Sequence, residues 1–289
     1  MIGRAVHAPA ALLGQPLAPV LDWAAGVLTA RGITITGAPA EIRRRAWSLI
    51  ARLPTDAGPM WLKANSRACA HEGPLLQVLA RLRPDSVLEP LAVQADHGWL
   101  LSPDGGPTAR DTEAAWTDLV RRYADLQLAM TDHIDELRAT GTPYLPPSQL
   151  ITVYRHFEPR VPGLGGAINE AAAALDEFGR LSIEHNDLQP GNVFTDSDAG
   201  TGLLFDWGDA VLTHPLLSWR VLRGPHRTEY LDRWRRSGPV TEAEIALADR
   251  LAPLVALHPW RTIDATPPRF ARFLRDLLDD LRSGLRDHG

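Results

Sequence analysis

The spacing of apolar residues changes character along the chain, and the change divides it into a part rich in strand signals and a part rich in helix signals. Leu17, Val20, Leu21, Ala24 and Leu28 recur at helical intervals and predict a helix over 17–31 that ends near Gly32. A short β-like run follows, Ile33-Thr34-Ile35-Thr36-Gly37. The segment Trp47 to Ala64 reads as two strands joined by the turn Thr55-Asp56-Ala57-Gly58, with Trp61 and Lys63 on one face of the second strand. Leu75, Leu76, Val78, Leu79 and Leu82 then mark the buried face of a helix. Pro74 fits only the first turn of that helix, which puts Glu72 at its start. Val87–Val93 and Gly98–Leu101 predict a second hairpin. The run Ser102-Pro103-Asp104-Gly105-Gly106-Pro107 is the most strongly marked break and sets a boundary between a domain over 1–101 and one over 102–289.

Beyond the break the period is helical. Trp116, Leu119, Val120, Tyr123, Leu126, Gln127, Met130, Ile134 and Leu137 stay in phase through 111–139. Further helices are expected over 144–157, 165–180, 216–222, 226–236, 241–257 and 268–286, and Thr241 with Glu244 forms a capping box at the start of the fifth. One hairpin interrupts them: Val193-Phe194-Thr195 and Leu203-Leu204-Phe205 flank a loop of Asp, Ser and Gly. The predicted class is α+β, an N-terminal antiparallel sheet with a helix followed by a mainly helical C-terminal lobe that contains a hairpin.

That hairpin brings chemistry with it. If Phe194 pairs with Leu204, Asn192 faces Asp206 at the open end, with Cβ atoms about 5 Å apart. A carboxylate and an amide oxygen at that separation suit a hard divalent cation such as Mg2+. Asp187 stands five residues before Asn192, and the turn Leu188-Gln189-Pro190-Gly191 aims it back at the same spot. The spacing D-x4-N-x13-D matches the kinase signature of a catalytic Asp (Asp187) and two metal ligands (Asn192 and Asp206). The bland alternative is an ordinary hairpin with polar caps. Lys63 is the single lysine beside twenty-nine arginines, which suggests a place where a compact ammonium is needed, as it is against nucleotide phosphates. Glu72 either pairs with Lys63 or only meets the helix dipole. Leu101 and Ser102, on the last strand before the break, carry backbone groups suited to a nucleotide base.

Composition narrows the class further. A chain of 289 residues with 45% hydrophobic content is globular and long enough for a sizeable core. The lone Cys69 excludes a disulfide framework and points to a reducing, cytoplasmic setting. No apolar run approaches the roughly 20 residues of a membrane span, and His7, Pro9 and Pro16 break up the mildly apolar start, against a leader peptide. Residues 1–100 carry a net charge of +3 and 101–289 a net of −8. The acidic half holds the candidate site, which favours a cationic small molecule over nucleic acid unless the acids are merely spread over the surface.

The segments W-S and W-L-K, Glu72, W-L-L-S-P-D-G-G, A-D-L-Q, H-N-D-L-Q-P-G-N and F-D-W-G-D occur in that order from about Arg43 to Leu217. In these the chain resembles the aminoglycoside phosphotransferases and choline-kinase-like small-molecule kinases. The resemblance implies a protein-kinase-like two-lobed fold, with 1–101 as the nucleotide-binding lobe and 102–289 as the catalytic and substrate-binding lobe. It implies transfer of the γ-phosphoryl group of ATP, or of GTP, to a hydroxyl of an aminoglycoside, amino sugar, choline or related molecule, with Mg2+. Asp187 would be the base or orienter, Asn192 and Asp206 the metal ligands, Lys63 the phosphate contact and Glu72 its partner. Three departures stand out. Asn186 replaces the usual Gly between His185 and Asp187 and constrains the backbone there. The loop A-E-I-R-R-R-A-W-S has no phosphate-loop glycines, leaving Ser48 as the candidate in that position. The segment after the metal strand reads T-H-P-L-L-S-W and lacks the second acid of D-P-x-x-D-L. Trp207, Asp209, Trp219, Tyr230, Trp234 and Trp260 could line a pocket for a cationic or sugar-like acceptor, but most are expected in the core, and Asp209 is the residue assigned to the acceptor. Two rivals remain. A non-catalytic nucleotide-binding regulator on the same fold would bind without turnover, and a protein kinase would need an activation segment that this chain has no room for.

Overall fold

A computed structural model describes residues 16–110, 112–195, 202–222, 224, 226–262 and 268–286. The apolar start with His7 and Pro9, and the Asp, Ser and Gly loop of the third hairpin, lie outside the described residues. The fold is α+β, in two compact units. One is formed by the chain up to Pro107 together with Phe194–Gly208, the other by Thr108–Val193, Asp209–Arg261 and the C-terminal helix.

The first unit is built on a five-stranded antiparallel sheet of order β1-β2-β3-β5-β4. Its strands are β1 (Ala40–Arg44), β2 (Ser48–Leu53), β3 (Met60–Asn65), β4 (Ala92–Gln94) and β5 (Trp99–Pro103). Alternation decides its faces. Leu49, Ala51, Leu53, Met60, Leu62, Ala64 and Leu101 are buried with Val20, Ala24 and Leu28 of helix α1 (Ala18–Thr29), while Ile50, Lys63 and Leu100 share a row on the opposite face. The expected β2–β3 hairpin is present. β1 is a strand that the sequence did not announce, because a bulge between Glu41 and Arg43 breaks its alternation. The expected strand over Val87–Val93 forms only at β4: Pro90 cannot donate to a ladder, and Val87 makes a lone parallel bridge to Leu204 instead. The run Ile33–Gly37 likewise contributes a single bridge, Ile35 to Thr55. Helix α2 (Glu72–Leu82) buries Leu75, Leu76 and Leu79. A Cβ on its Gly73 would lie 2.6 Å from Val93 Cγ1, so only glycine fits there.

The second unit is mainly helical. Thr112 caps α3 (Glu113–Met130), its Oγ1 accepting from the Ala115 amide. The expected helix over 111–139 divides at a 3-10 turn, Thr131–His133, before α4 (Ile134–Ala139). There the Thr131 hydroxyl donates to Leu128 O at 2.8 Å and competes with the helical ladder. Pro146 and Pro147 delay the next helix, α5 (Leu150–Phe157), beyond its expected start at 144. α6 (Gly165–Asp176), α7 (Trp219–Leu222), α8 (Arg227–Ser237), α9 (Glu242–Leu257) and α10 (Ala271–Arg286) follow the expected order. Thr241 caps α9 as its sequence predicts, and every residue from Leu251 to Leu257 is buried, which makes α9 the central helix of the unit. Strands β6 (Ser182–Glu184) and β9 (Val211–Thr213) pair antiparallel. In the first unit, Phe194 and Thr195 of β7 (Val193–Thr195) belong to a two-stranded sheet with β8 (Gly202–Leu204). Among the described residues no helix is long and apolar enough to cross a membrane.

Candidate active site

In the first unit the candidate residues converge on Lys63. It leaves β3 on the face away from the apolar core, and its Nζ lies 2.8 Å and 2.7 Å from the two carboxylate oxygens of Glu72 and 2.6 Å from Asp206 Oδ1. Of the two readings of Glu72, the structure therefore has the pair. Burial pulls the Lys63 ammonium down, but the Asp206 and Glu72 carboxylates outweigh it and hold the group above the usual lysine range, a fixed positive charge. Glu72 is almost wholly enclosed and has further partners: Asn65 Nδ2 donates to Oε2 at 2.7 Å, and the Trp207 amide donates to Oε1 at 3.1 Å. Asn65 was legible by strand period, two residues after Lys63 on the same face. Asp206 has φ +64°, in the left-handed region, so the strand end turns sharply before the buried Trp207. His71, at the start of α2, is held down to about 4, first by burial and then by the Lys63 charge, and so is neutral.

The other predicted residues of this unit are placed as follows. Ser48 is buried on β2 opposite Asn65. Leu101 is in the core and pairs on both sides, with Leu62 and Ala92, whereas Ser102 pairs with Trp61 alone, past the end of β4.

In the second unit the β6 strand delivers His185, Asn186 and Asp187. His185 is fully buried, its amide donating to the Tyr123 hydroxyl at 2.8 Å and its Nδ1 accepting the Asp187 amide at 3.3 Å, so it braces the loop. Asn186 adopts φ +64° and explains its departure from glycine: asparagine is among the few other residues that tolerate this region, and its Nδ2 also donates to Val255 O at 2.9 Å. Asn186→Ala keeps neither advantage and is expected to lower stability by about 2 kcal/mol, while Asn186→Gly costs less; urea midpoints of the two variants check the order.

Asp187 is held from both sides. Arg220 Nη2 donates to its Oδ1 at 2.5 Å, and Asn192 Nδ2 and Gln189 Nε2 donate to its Oδ2 at 3.0 Å and 3.1 Å. Asn192 Nδ2 also donates to Asp187 O at 2.8 Å, which commits the amide nitrogen to Asp187 and leaves the amide oxygen as the end that suits a cation. Sequence reasoning brought Asp187 and Asn192 together but missed Arg220, thirty-three residues away, for which no local signal exists. Of the aromatic candidates, Trp207, Tyr230 and Trp234 are core, as expected of such side chains. Trp219 and Trp260 are half-buried and pack on Phe273 with centroids 5.5 Å and 6.2 Å away. Asp209 is half-buried just after Gly208.

Behind the loop lies Glu184, buried and with no cationic side chain in ion-pair contact among the described residues. Tyr123 donates to its Oε2 at 2.8 Å, and the Asn186 amide and the Ser218 hydroxyl donate to Oε1 at 3.0 Å and 3.1 Å. Burial pushes its carboxyl up to about 7, against the pull of these donors. The folded protein thus keeps a proton that an unfolded chain releases near 4.5. Stability from this group is full below about 4.5 and is lost as pH rises through about 7, a change on the order of 3 kcal/mol. Glu184→Gln is expected to flatten this slope of unfolding free energy between pH 4.5 and 8; an unchanged slope in the variant would place the titration elsewhere.

A model of the family described as "Phosphotransferase enzyme family" (APH) matches residues 41–217. No curated protein matches the chain in sequence. Among solved structures, the apoenzyme of macrolide 2'-phosphotransferase MphH from Brachybacterium faecium is similar at a TM-score of 0.60 and 17% identity, over 93% of this chain and 99% of that one. Choline kinase LicA from Streptococcus pneumoniae is similar at 0.63 and 12%, over 91% and 99%. The GDP complex of wild-type aminoglycoside 2'-phosphotransferase-IIIa is similar at 0.60 and 12%, over 93% and 99%.

Proposed function

Because the chain belongs to the phosphotransferase enzyme family, we propose that it transfers the γ-phosphoryl group of ATP, or of GTP, to a hydroxyl of a small cationic or sugar-like molecule. The observation that carries this reading is the part-buried Lys63 ammonium fixed by Glu72 and Asp206 at hydrogen-bond distance. A largely enclosed lysine held charged has little use for the fold, and much against polyphosphate. That LicA is also known in complex with AMP, and aminoglycoside 2'-phosphotransferase-IIIa with GDP, supports a nucleotide as the donor.

Phosphoryl transfer proceeds through a loose transition state with charge on the equatorial oxygens, so the protein's part is positioning and electrostatics. In this reading residues 1–101 hold the nucleotide and 102–289 the catalytic and acceptor groups. Lys63 binds phosphate oxygens, Glu72 orients Lys63, and the backbone of Ser102, past the end of β4, offers hydrogen bonds to the base, whereas Leu101, expected to share that part, is paired on both sides; Ser48 contributes its strand position. Asp187 accepts or orients the acceptor's hydroxyl proton through a carboxylate whose direction Arg220, Gln189 and Asn192 fix, and Asp209 is a further acceptor contact. The amide oxygen of Asn192 and the carboxylate of Asp206 are the donors suited to Mg2+, which when bound would neutralise phosphate charge.

The test is a coupled ADP- and GDP-release screen over aminoglycosides, macrolides, amino sugars and choline with Mg2+. Acceptor-dependent release is expected for at least one class. Nucleotide binding without release across the panel would favour a regulator on the same fold, and absence of binding would end the reading.

A further inference from the structure

A phosphate-binding kinase loop uses backbone amides freed by glycine, and this chain has no glycine between Gly37 and Gly58. The turn between β1 and β2 also spends its amide internally: Arg45 N donates to Ser48 O at 2.8 Å. What this turn has in place of glycine is three consecutive arginines, and two are already engaged. Arg44 makes a two-point pair with Glu41, Nε to Oε1 at 3.0 Å and Nη2 to Oε2 at 2.6 Å, and Arg45 lies over the Trp47 ring at 5.6 Å.

Arg43 is different, and the bulge in β1 is the reason. Glu41 pairs with Ala51 and Arg43 with Ile50, so Ile42 is the extra residue, left 54% exposed. In a regular ladder Ile42 would stand opposite Ile50, and Arg43 would face Leu49 on the core side. The bulge moves Arg43 into the row Arg43–Ile50–Lys63, on the same face as Lys63. Its Nη2 lies 3.9 Å from Asp206 Oδ2, while Lys63 Nζ holds Oδ1 of the same carboxylate, and its Nε is buried with no hydrogen-bond partner among the described residues. Lys63 alone faces two carboxylates, a cluster of net −1 that would repel a polyanion; Arg43 brings it to neutrality.

We propose that Arg43 is a phosphate-binding residue of this chain, its guanidinium taking the part that glycine-loop amides take elsewhere, with nucleoside di- and triphosphates as the ligand class. The inference rests on the phosphotransferase reading above and adds to it a residue and a mechanism of phosphate capture. A guanidinium offers a planar fork that matches phosphate oxygens at two points, and the unpaired Nε supplies one donor of that fork.

Calorimetric titrations of ADP, a non-hydrolysable ATP analogue and adenosine, with the guanosine series alongside, into wild type, Arg43→Gln and Arg44→Gln separate the outcomes. Arg43→Gln is expected to bind ADP and the triphosphate about 10- to 100-fold more weakly with adenosine affinity unchanged, and Arg44→Gln to stay within about twofold of wild type. Equal binding by Arg43→Gln and wild type overturns the proposal. So does an equal loss for adenosine, which would mark Arg43 as structural, or an equal loss in Arg44→Gln, which would mean that only local charge matters. If wild type binds neither nucleotide series, the phosphotransferase reading fails first and takes this one with it.

Discussion

Asp187→Asn lowers kcat about 10²- to 10⁴-fold while nucleotide affinity stays near the wild-type value, as expected when a positioned base is lost and binding contacts are kept. The hydrogen bonds show why the substitution cannot be silent. The Asp187 carboxylate accepts from Arg220 on Oδ1 and from Asn192 and Gln189 on Oδ2. An asparagine has one acceptor end. Whichever way its amide turns, an NH2 group confronts a donor, either the Arg220 guanidinium or the two side-chain amides. The variant should therefore also lose about 1–3 kcal/mol of stability, the range for an unsatisfied donor in a polar cluster. The kinetic and structural effects separate in measurement: steady-state rates with the best acceptor, calorimetry for nucleotide, and a denaturation midpoint for the fold. An unchanged kcat in a folded variant would remove Asp187 from the chemistry.

The sequence made some of this legible and hid the rest for physical reasons. Alternation gave β2 and β3, and capping chemistry gave the start of α9, because both are local signals. β1 stayed hidden because one inserted residue, Ile42, shifts every later side chain to the other face, so the segment does not alternate. The helix over 111–139 looked continuous because apolar phase carries across Thr131–His133, where a hydroxyl and not an apolar residue ends the ladder. In the candidate site, the Lys63–Glu72 pair was one of two readings and is present, nine residues apart. Arg220 and Glu184 were not readable. Arg220 reaches Asp187 through the second unit's fold, and the enclosure of Glu184 depends on Tyr123, sixty-one residues away. The departure at Asn186 was readable as a constraint, but its sense came from the left-handed backbone that asparagine accepts in place of glycine.

Lys63→Met is expected to destabilise the protein by about 3–5 kcal/mol, because it removes the cation and leaves the Glu72 carboxylate buried without its counter-charge. The Glu72 side chain is 2% exposed and that of Lys63 13%, so water cannot enter to replace the ammonium at low cost. Asn65 and the Trp207 amide still donate to Glu72, but neither carries charge, and Asp206 loses the contact at 2.6 Å that holds its Oδ1. The double variant Lys63→Met with Glu72→Gln should recover part of the loss, since a neutral amide no longer needs a counter-charge, although its single oxygen can serve only one of the two donors, Asn65 or the Trp207 amide. Nucleotide affinity should not recover with it, because the phosphate contact is absent from both variants. Urea unfolding of the two single variants and the double variant gives the coupling directly. Strict additivity, or a cost of Lys63→Met below about 1 kcal/mol, would mean that the pair behaves as a solvated surface ion pair. Recovered stability without recovered binding would instead show that a charge costly to bury is kept at Lys63 for the ligand it meets and not for the fold.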